Sequence, residues 1–269
     1  MTVSLKKWVP AAFVCMAVFA MLSLSACSTS EQEQTNAGES DAMTLVNQGS
    51  LTVAASLDFP PFESQDDEGT PVGFAVDLMN EVASRLNLEC TYLPTVKFDS
   101  IIPMIQAGGK ADVGVSSFTI TPERAEQIDF SDSYCDSNQG IVVIKGAYTN
   151  IDDLKGKKIG AQSGTTGLEW AQENIEGAEV IAYDEVTAIF AALDAGQIDA
   201  IAVDLPVAQS YVKNSYTGDE IIAEIPTGEQ YGMVISKDNP ALTKAINEAL
   251  AAMRADGTYE EIYNKHFGV

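Results

Sequence analysis

The chain has 269 residues, 46% hydrophobic and 20% charged, a balance that fits a soluble globular protein with room for one large domain or two lobes. Its 39 Asp and Glu against 15 Lys and Arg give a net charge of −24, which excludes nucleic acid as a partner, because phosphate binding needs clustered cations. The one histidine, His266, and four scattered cysteines form no zinc-site spacing and leave little basis for a Ser-His-Asp or Cys-His arrangement.

At the N-terminus, Lys6 and Lys7 precede an apolar run from Val9 to Leu24, broken only by Pro10 and Ser23. The run is short for a membrane span and ends in small residues, which predicts an export signal over residues 1–26. The tetrapeptide Leu24-Ser25-Ala26-Cys27 resembles a bacterial lipoprotein box, in which Cys27 is lipidated and becomes the mature N-terminus. Cleavage there would leave 243 residues and, with Lys6 and Lys7 gone, a net charge of −26. Residues 27–44 then read as the lipidated cysteine and a flexible polar tether, which holds the body outside the cytoplasm at a bacterial membrane, on the cell surface or in the periplasm. Cys15 leaves with the signal; Cys90 and Cys135 remain, as a disulfide or as two free thiols.

From Leu45 onward short strands and helices alternate. Leu51 to Ala55 reads as a strand, and Phe74 to Leu86, with Val76, Met79, Val82, Ala83 and Leu86 at helical spacing, as an amphipathic helix. Glu89 to Leu93 is a strand, Asp99 to Ala107 a helix stopped by Gly108-Gly109, and Ala111 to Val115 a strand. Thr121-Pro122-Glu123 opens another helix, with a hydroxyl at the N-cap and proline just inside. After a strand at Ile141 to Ile144 the rhythm restarts: strands at Lys158 to Ala161, Val180 to Tyr183 and Ala200 to Val203, with helices at Gly167 to Asn174 and Thr187 to Ala195. This alternation predicts parallel sheets covered by helices.

The two halves share a unit. Residues 107–115 and 195–203 both run from a helix through a glycine turn to an Asp and a short apolar strand. Ser116 and Ser117 end one strand and Asp204 the other, and ligands of open α/β sheets sit beyond such strand ends. Two lobes facing each other would enclose a cleft.

Enzyme motifs are missing: no Gly-x-Ser-x-Gly elbow, no His-Glu-x-x-His and no phosphate loop. Recognition of a small charged molecule fits better. Arg124, in the first turn of a helix behind the hydroxyls of residues 117–121, suits a carboxylate held bidentately; pairing with Glu123 or Asp129 at the surface is the rival reading. Gln162-Ser163-Gly164-Thr165-Thr166-Gly167 is a second donor-rich loop before a helix, or a plain turn. Asp204 could hold an ammonium or cap the helix that follows. Phe59, in a proline-stiffened loop, could wall a ligand or pack into its own lobe.

Taken in order, Pro60-Pro61-Phe62-Glu63, Gly73-Phe74-Ala75-Val76-Asp77-Leu78 and Phe98-Asp99-Ser100-Ile101-Ile102-Pro103 carry a family resemblance. Thr119-Ile120-Thr121-Pro122-Glu123-Arg124, Ile128-Asp129-Phe130-Ser131 and Gly257-Thr258-Tyr259 complete it. The chain resembles the family-3 solute-binding proteins of bacterial polar amino-acid ABC importers, from about Gly49 to Gly268.

The resemblance implies an α/β, two-lobed periplasmic-binding-protein (Venus flytrap) fold with two inter-lobe crossings. One lobe would take residues 45–136 plus 231–269 and the other 139–226, with strands at Ile141 to Ile144 and Tyr231 to Ile235 near the crossings. It implies a monomer without cofactor or metal that captures a free L-amino acid and delivers it to an ABC permease with a cytoplasmic ATPase. Position by position, Arg124 matches the clamp on the ligand α-carboxylate, aided by Thr119 and Thr165. Asp204 matches the acid that holds the α-ammonium, with carbonyl help around Ser116 and Ser117, and Phe59 and Phe98 match the aromatic walls. Gln162 and Val203 match variable pocket positions, and Gln139 is near enough along the crossing to reach the pocket. Some members that take cationic amino acids carry an acid where this chain has Ser56, so the resemblance implies a polar, uncharged side-chain pocket, with Asp58 nearby but pointing elsewhere. Two rivals stay open: a cyclohexadienyl dehydratase-like enzyme on the same fold, and a sensor that passes ligand occupancy to a membrane receptor.

Overall fold

A computed structural model describes residues 42–268; the expected export signal, Cys27 and the tether up to residue 41 lie outside them. The first strand, β1 (Ser50–Ala54), is followed by three short antiparallel strands, β2 (Asp58–Phe59), β3 (Glu63–Gln65) and β4 (Pro71–Val72), which form a small separate sheet. Helix α1 (Phe74–Arg85) turns its apolar stripe inward, and β5 (Glu89–Tyr92), α2 (Phe98–Ala107), β6 (Val113–Thr119), α3 (Pro122–Gln127) and β7 (Asp129–Phe130) follow. The chain then leaves the first lobe along β8 (Cys135–Ile144).

The second lobe holds β9 (Lys158–Gln162), α4 (Thr166–Asn174), β10 (Glu179–Tyr183), α5 (Val186–Asp194), β11 (Ala200–Asp204) and α6 (Leu205–Asn214). The long strand β12 (Asp219–Ile235) returns to the first lobe, which α7 (Pro240–Asp256) and α8 (Thr258–Phe267) complete.

Within each lobe the strands pair in parallel, β5-β1-β6 in the first and β10-β9-β11 in the second, as expected. The crossings are antiparallel instead. Strands β8 and β12 pair from Cys135 opposite Tyr231 to Ile144 opposite Asp219, and join both halves in one sheet of order β10-β9-β11-β8-β12-β6-β1-β5. Their register slips between Ile225 and Glu229, where Pro226, Thr227 and Gly228 interrupt the ladder. A second slip lies between Ile221 and Ala223, so the ladder that joins the lobes is interrupted twice.

Alternation along the strands separates the core by face. Leu51, Val53, Val113, Ile201 and Val203 belong to one large apolar cluster with α1 and α5, whereas Ala200 and Ala202 face a second cluster around Leu154 and Ile159. Phe98, Ile101 and Phe118 form a third, under α2. The α8 aromatics close the first lobe: Tyr259, Tyr263 and Phe267 stand 5.9, 5.7 and 5.2 Å from the Phe74 ring. Cys90 and Cys135 are free, half-buried thiols, and burial pushes them up to about 11 and about 12, so neither is a reactive thiolate. No described helix is long and apolar enough to cross a membrane.

Candidate functional site

The polar ends of β6 and β11 and the starts of α3 and α4 converge beside the crossings. Thr121 caps α3 by accepting the Arg124 N–H at 3.2 Å, with Pro122 at the first helical position, and this fixes Arg124 in the opening turn. The guanidinium does not take the surface pairing with Glu123 or Asp129. Its Nη1 donates to the Thr119 carbonyl and its Nη2 to the Gly164 carbonyl of the opposite lobe, each at 2.8 Å. Its Cζ lies 5.6 Å from the centre of the Phe98 ring and 5.8 Å from that of Phe118, two rings stacked at 4.4 Å. Burial lowers the arginine's pKa, and the charges of Glu169, Asp204 and Glu229 work against that. Of its five N–H donors, three are left for an anion among the described residues.

Asp204 sits at the N-cap position of α6 yet makes no capping bond, so the capping alternative falls. Its buried carboxylate is held by the crossings: Gln139 Nε2 donates to one oxygen and the Tyr231 hydroxyl donates to the other at 2.6 Å. Gln139 Nε2 also donates to Glu229 at 2.8 Å, while its buried Oε1 has no partner. Burial, then the Glu229 charge, raises the Asp204 carboxyl to about 7, against the pull of Tyr231, Gln139 and Arg124. Thr119 Oγ1 and Thr166 Oγ1 meet at 3.4 Å across the lobes, and Gln139 Nε2 reaches Thr166 Oγ1 at 3.5 Å. A cation and a carboxylate thus stand at the two ends of a short polar row, a pattern complementary to a zwitterion.

The remaining candidates fall at varying distance from this row. Ser56 and Ser116 are buried together, the Ser56 N–H donating to Ser116 Oγ at 3.2 Å. Ser117 takes a left-handed φ of 49°, and its hydroxyl donates to the fully buried Glu63 at 3.2 Å. Thr165 spends its side chain locally: Oγ1 accepts the Leu168 N–H and donates to the Gln162 carbonyl, capping α4. Gln162 is buried and donates to the Asp184 carbonyl at 3.3 Å. Phe59 is 7% exposed and packs 6.4 Å from Phe62 in the first lobe's core, whereas Phe98 lies directly under Arg124. Glu229 and the Tyr231 hydroxyl did not stand out in the sequence, because their place beside Asp204 depends on the crossings rather than on any local motif; Thr166 and Glu63 lay in motifs already noted but were not assigned to the site. Among the described residues no group of acids, cysteines or histidine could hold a metal ion.

Two α/β lobes on a pair of crossing strands, with opposite charges set between them, define a solute-binding protein. The chain belongs to the bacterial extracellular solute-binding proteins, family 3, whose sequence model matches residues 51–269. It is 35% identical to the "Probable histidine-binding protein" of Neisseria gonorrhoeae over 98% of this chain and 96% of that one. It is also 35% identical to the L-cystine-binding protein TcyJ of Escherichia coli strain K12, over 82% of this chain and 83% of that one. A solved structure, an ancestral arginine-binding protein bound to glutamine, superposes with a TM-score of 0.77 at 40% identity, covering 83% of this chain and 100% of that one. The chain is accordingly an extracytoplasmic solute-binding protein of the two-lobed fold, rather than an enzyme.

Proposed function

We propose that the protein captures an L-amino acid between its lobes and delivers it to an ABC permease driven by a cytoplasmic ATPase. The observation that carries this reading is the opposed pair of Arg124, on the first lobe, and Asp204, on the second, at the ends of one polar row. Arg124, aided by Thr119 and Thr165, clamps the α-carboxylate; Asp204, with carbonyls near Ser116 and Ser117, takes the α-ammonium. Phe98 and Phe59 wall the side chain, and Ser56 and Gln162 make its pocket polar. The relatives named for histidine, cystine and arginine support an amino acid as cargo. The lobes divide as residues 45–136 with 231–269 and residues 139–226, and ligand touching both favours the closed state. The protein works as a monomer, anchored through lipid on Cys27.

The test is a thermal-shift screen after unfolding and refolding to strip co-purified cargo, with all standard L-amino acids, cystine, ornithine, citrulline and prephenate. A tight ligand stabilises by mass action, so one or a few polar amino acids should raise the melting temperature clear of the rest. A response to prephenate alone, or to none, would overturn the reading.

A further inference from the structure

Helix α5 has no cap of its own. Glu185, at its N-cap position, makes no side-chain bond to the helix, although its backbone (φ −128°, ψ 140°) has the ordinary entry geometry. The missing acceptor comes from the other lobe. Asp58, on β2, places Oδ2 2.6 Å from the Val186 N–H, the first of the helix, while Oδ1 accepts the Ser56 hydroxyl at 2.9 Å. A second bond returns across the same gap: Tyr211 of α6 donates its hydroxyl to the Asp58 carbonyl at 2.8 Å, its ring stacked 4.3 Å from Phe190 of α5.

Other polar contacts join the lobes, but they are of another kind. Lys97–Asp184 is 60% and 56% exposed, and Ser163–Asp99 is exposed as well, so water competes for both. The Arg124–Gly164 contact uses the residue that is to clamp the cargo. The Thr119–Thr166 hydroxyl pair lies in the cargo's own polar row. Asp58 is half-buried, lies outside that row, and answers a helix end that would otherwise lie uncapped.

We propose that Asp58 is a positioning residue that sets cargo affinity through lobe closure, by capping α5 of the opposite lobe. The inference rests on the amino-acid-binding reading for its effect on affinity, but not for its effect on closure. Apparent affinity is the intrinsic affinity scaled by the closed fraction, so a contact made only when the lobes meet strengthens binding without being part of the ligand's shell. Opening strands the Val186 N–H and returns the Asp58 carboxylate to water.

The test is a double-mutant cycle on the full-length protein, with L-arginine, L-histidine and L-cystine as calorimetric probes and small-angle scattering of the ligand-free state. Val186→Pro removes the donor and sets the ring Cδ against Asp58 Oδ2 in a buried position, so it breaks the contact from the helix side; the helix itself tolerates proline at its first position, and the extended Glu185 backbone is compatible with a following proline. Asp58→Ala and Val186→Pro should each raise the dissociation constant at least about tenfold and enlarge the ligand-free radius of gyration. The double variant should be no worse than the worse single one. Asp58→Asn keeps a good capping oxygen and should stay within about threefold of the parent. Additive losses, an asparagine as damaging as alanine, or an unchanged radius in both single variants would overturn the proposal. If none of the three probes binds the parent protein, the full thermal-shift panel still decides the amino-acid reading, and the scattering alone decides the latch: a larger radius supports it and an unchanged one refutes it.

Discussion

At the scale of single residues the cleft is governed by two opposite charges held in different ways. Arg124 is fixed by carbonyls of both lobes and backed by an aromatic stack, so its planar fork is pre-set for a carboxylate. Arg124→Ala should weaken amino-acid binding by about 2–5 kcal/mol, and Arg124→Lys should recover only part of it, since an ammonium cannot make the paired bond. Unchanged affinity of the alanine variant in a calorimetric titration would refute the clamp. Asp204 is held by side chains of the crossing strands, and burial with Glu229 next to it lifts its carboxyl from 3.8 to about 7. Between those values the folded protein binds more protons than the unfolded chain, so this group makes the ligand-free fold less stable as pH rises through the window. An arriving ammonium favours the charged form. Binding near pH 7 should therefore release about half a proton from this group, and affinity should rise with pH through the window. Titration in two buffers of different ionisation enthalpy reads the release; a binding heat independent of buffer would contradict the ammonium role.

At the scale of elements, the turn into α1 is the least forgiving point. Gly73 has φ 134°, and a Cβ there would lie 2.2 Å from the Phe62 carbonyl oxygen, which the Ala75 N–H needs as acceptor at 2.9 Å. Gly73→Ala should cost on the order of 3 kcal/mol in denaturant unfolding. A loss within about 0.5 kcal/mol would mean that the backbone relaxes around the clash. Elements with a clean period were legible in the sequence: the apolar stripe of α1, the buried run of β1, the hydroxyl-proline start of α3. Strands β2 to β4 were not, because two or three residues with prolines between them carry no alternation. Strand β12 was legible only from Tyr231 on, since Pro226, Thr227 and Gly228 read as a turn while β8 pairs on either side of them. The same cause hid Glu229 and the Tyr231 hydroxyl from the candidate site, whereas Arg124 and Asp204 stood at a helix start and a strand end, where local pattern is informative.

As a whole, the molecule is two lobes joined by the β8–β12 ladder, with one large apolar cluster that takes residues from both. Hydrogen bonds of Arg124 with Gly164, Lys97 with Asp184 and Asp58 with Val186 already join the lobes. On the proposed reading, a cargo that touches both lobes adds to these contacts and favours the closed state. Cys27→Ala should move the protein from the membrane fraction to the soluble one without altering binding; continued anchoring would defeat the lipid attachment. The most direct measurement of the central claim is a calorimetric titration with the amino acid that stabilises the protein most, beside its des-amino acid and its decarboxylated amine. Loss of at least about a hundredfold in affinity for each half-ligand is expected, since each leaves Asp204 or Arg124 without its counter-charge. Equal binding of either half-ligand would contradict a cleft built on that pair of charges.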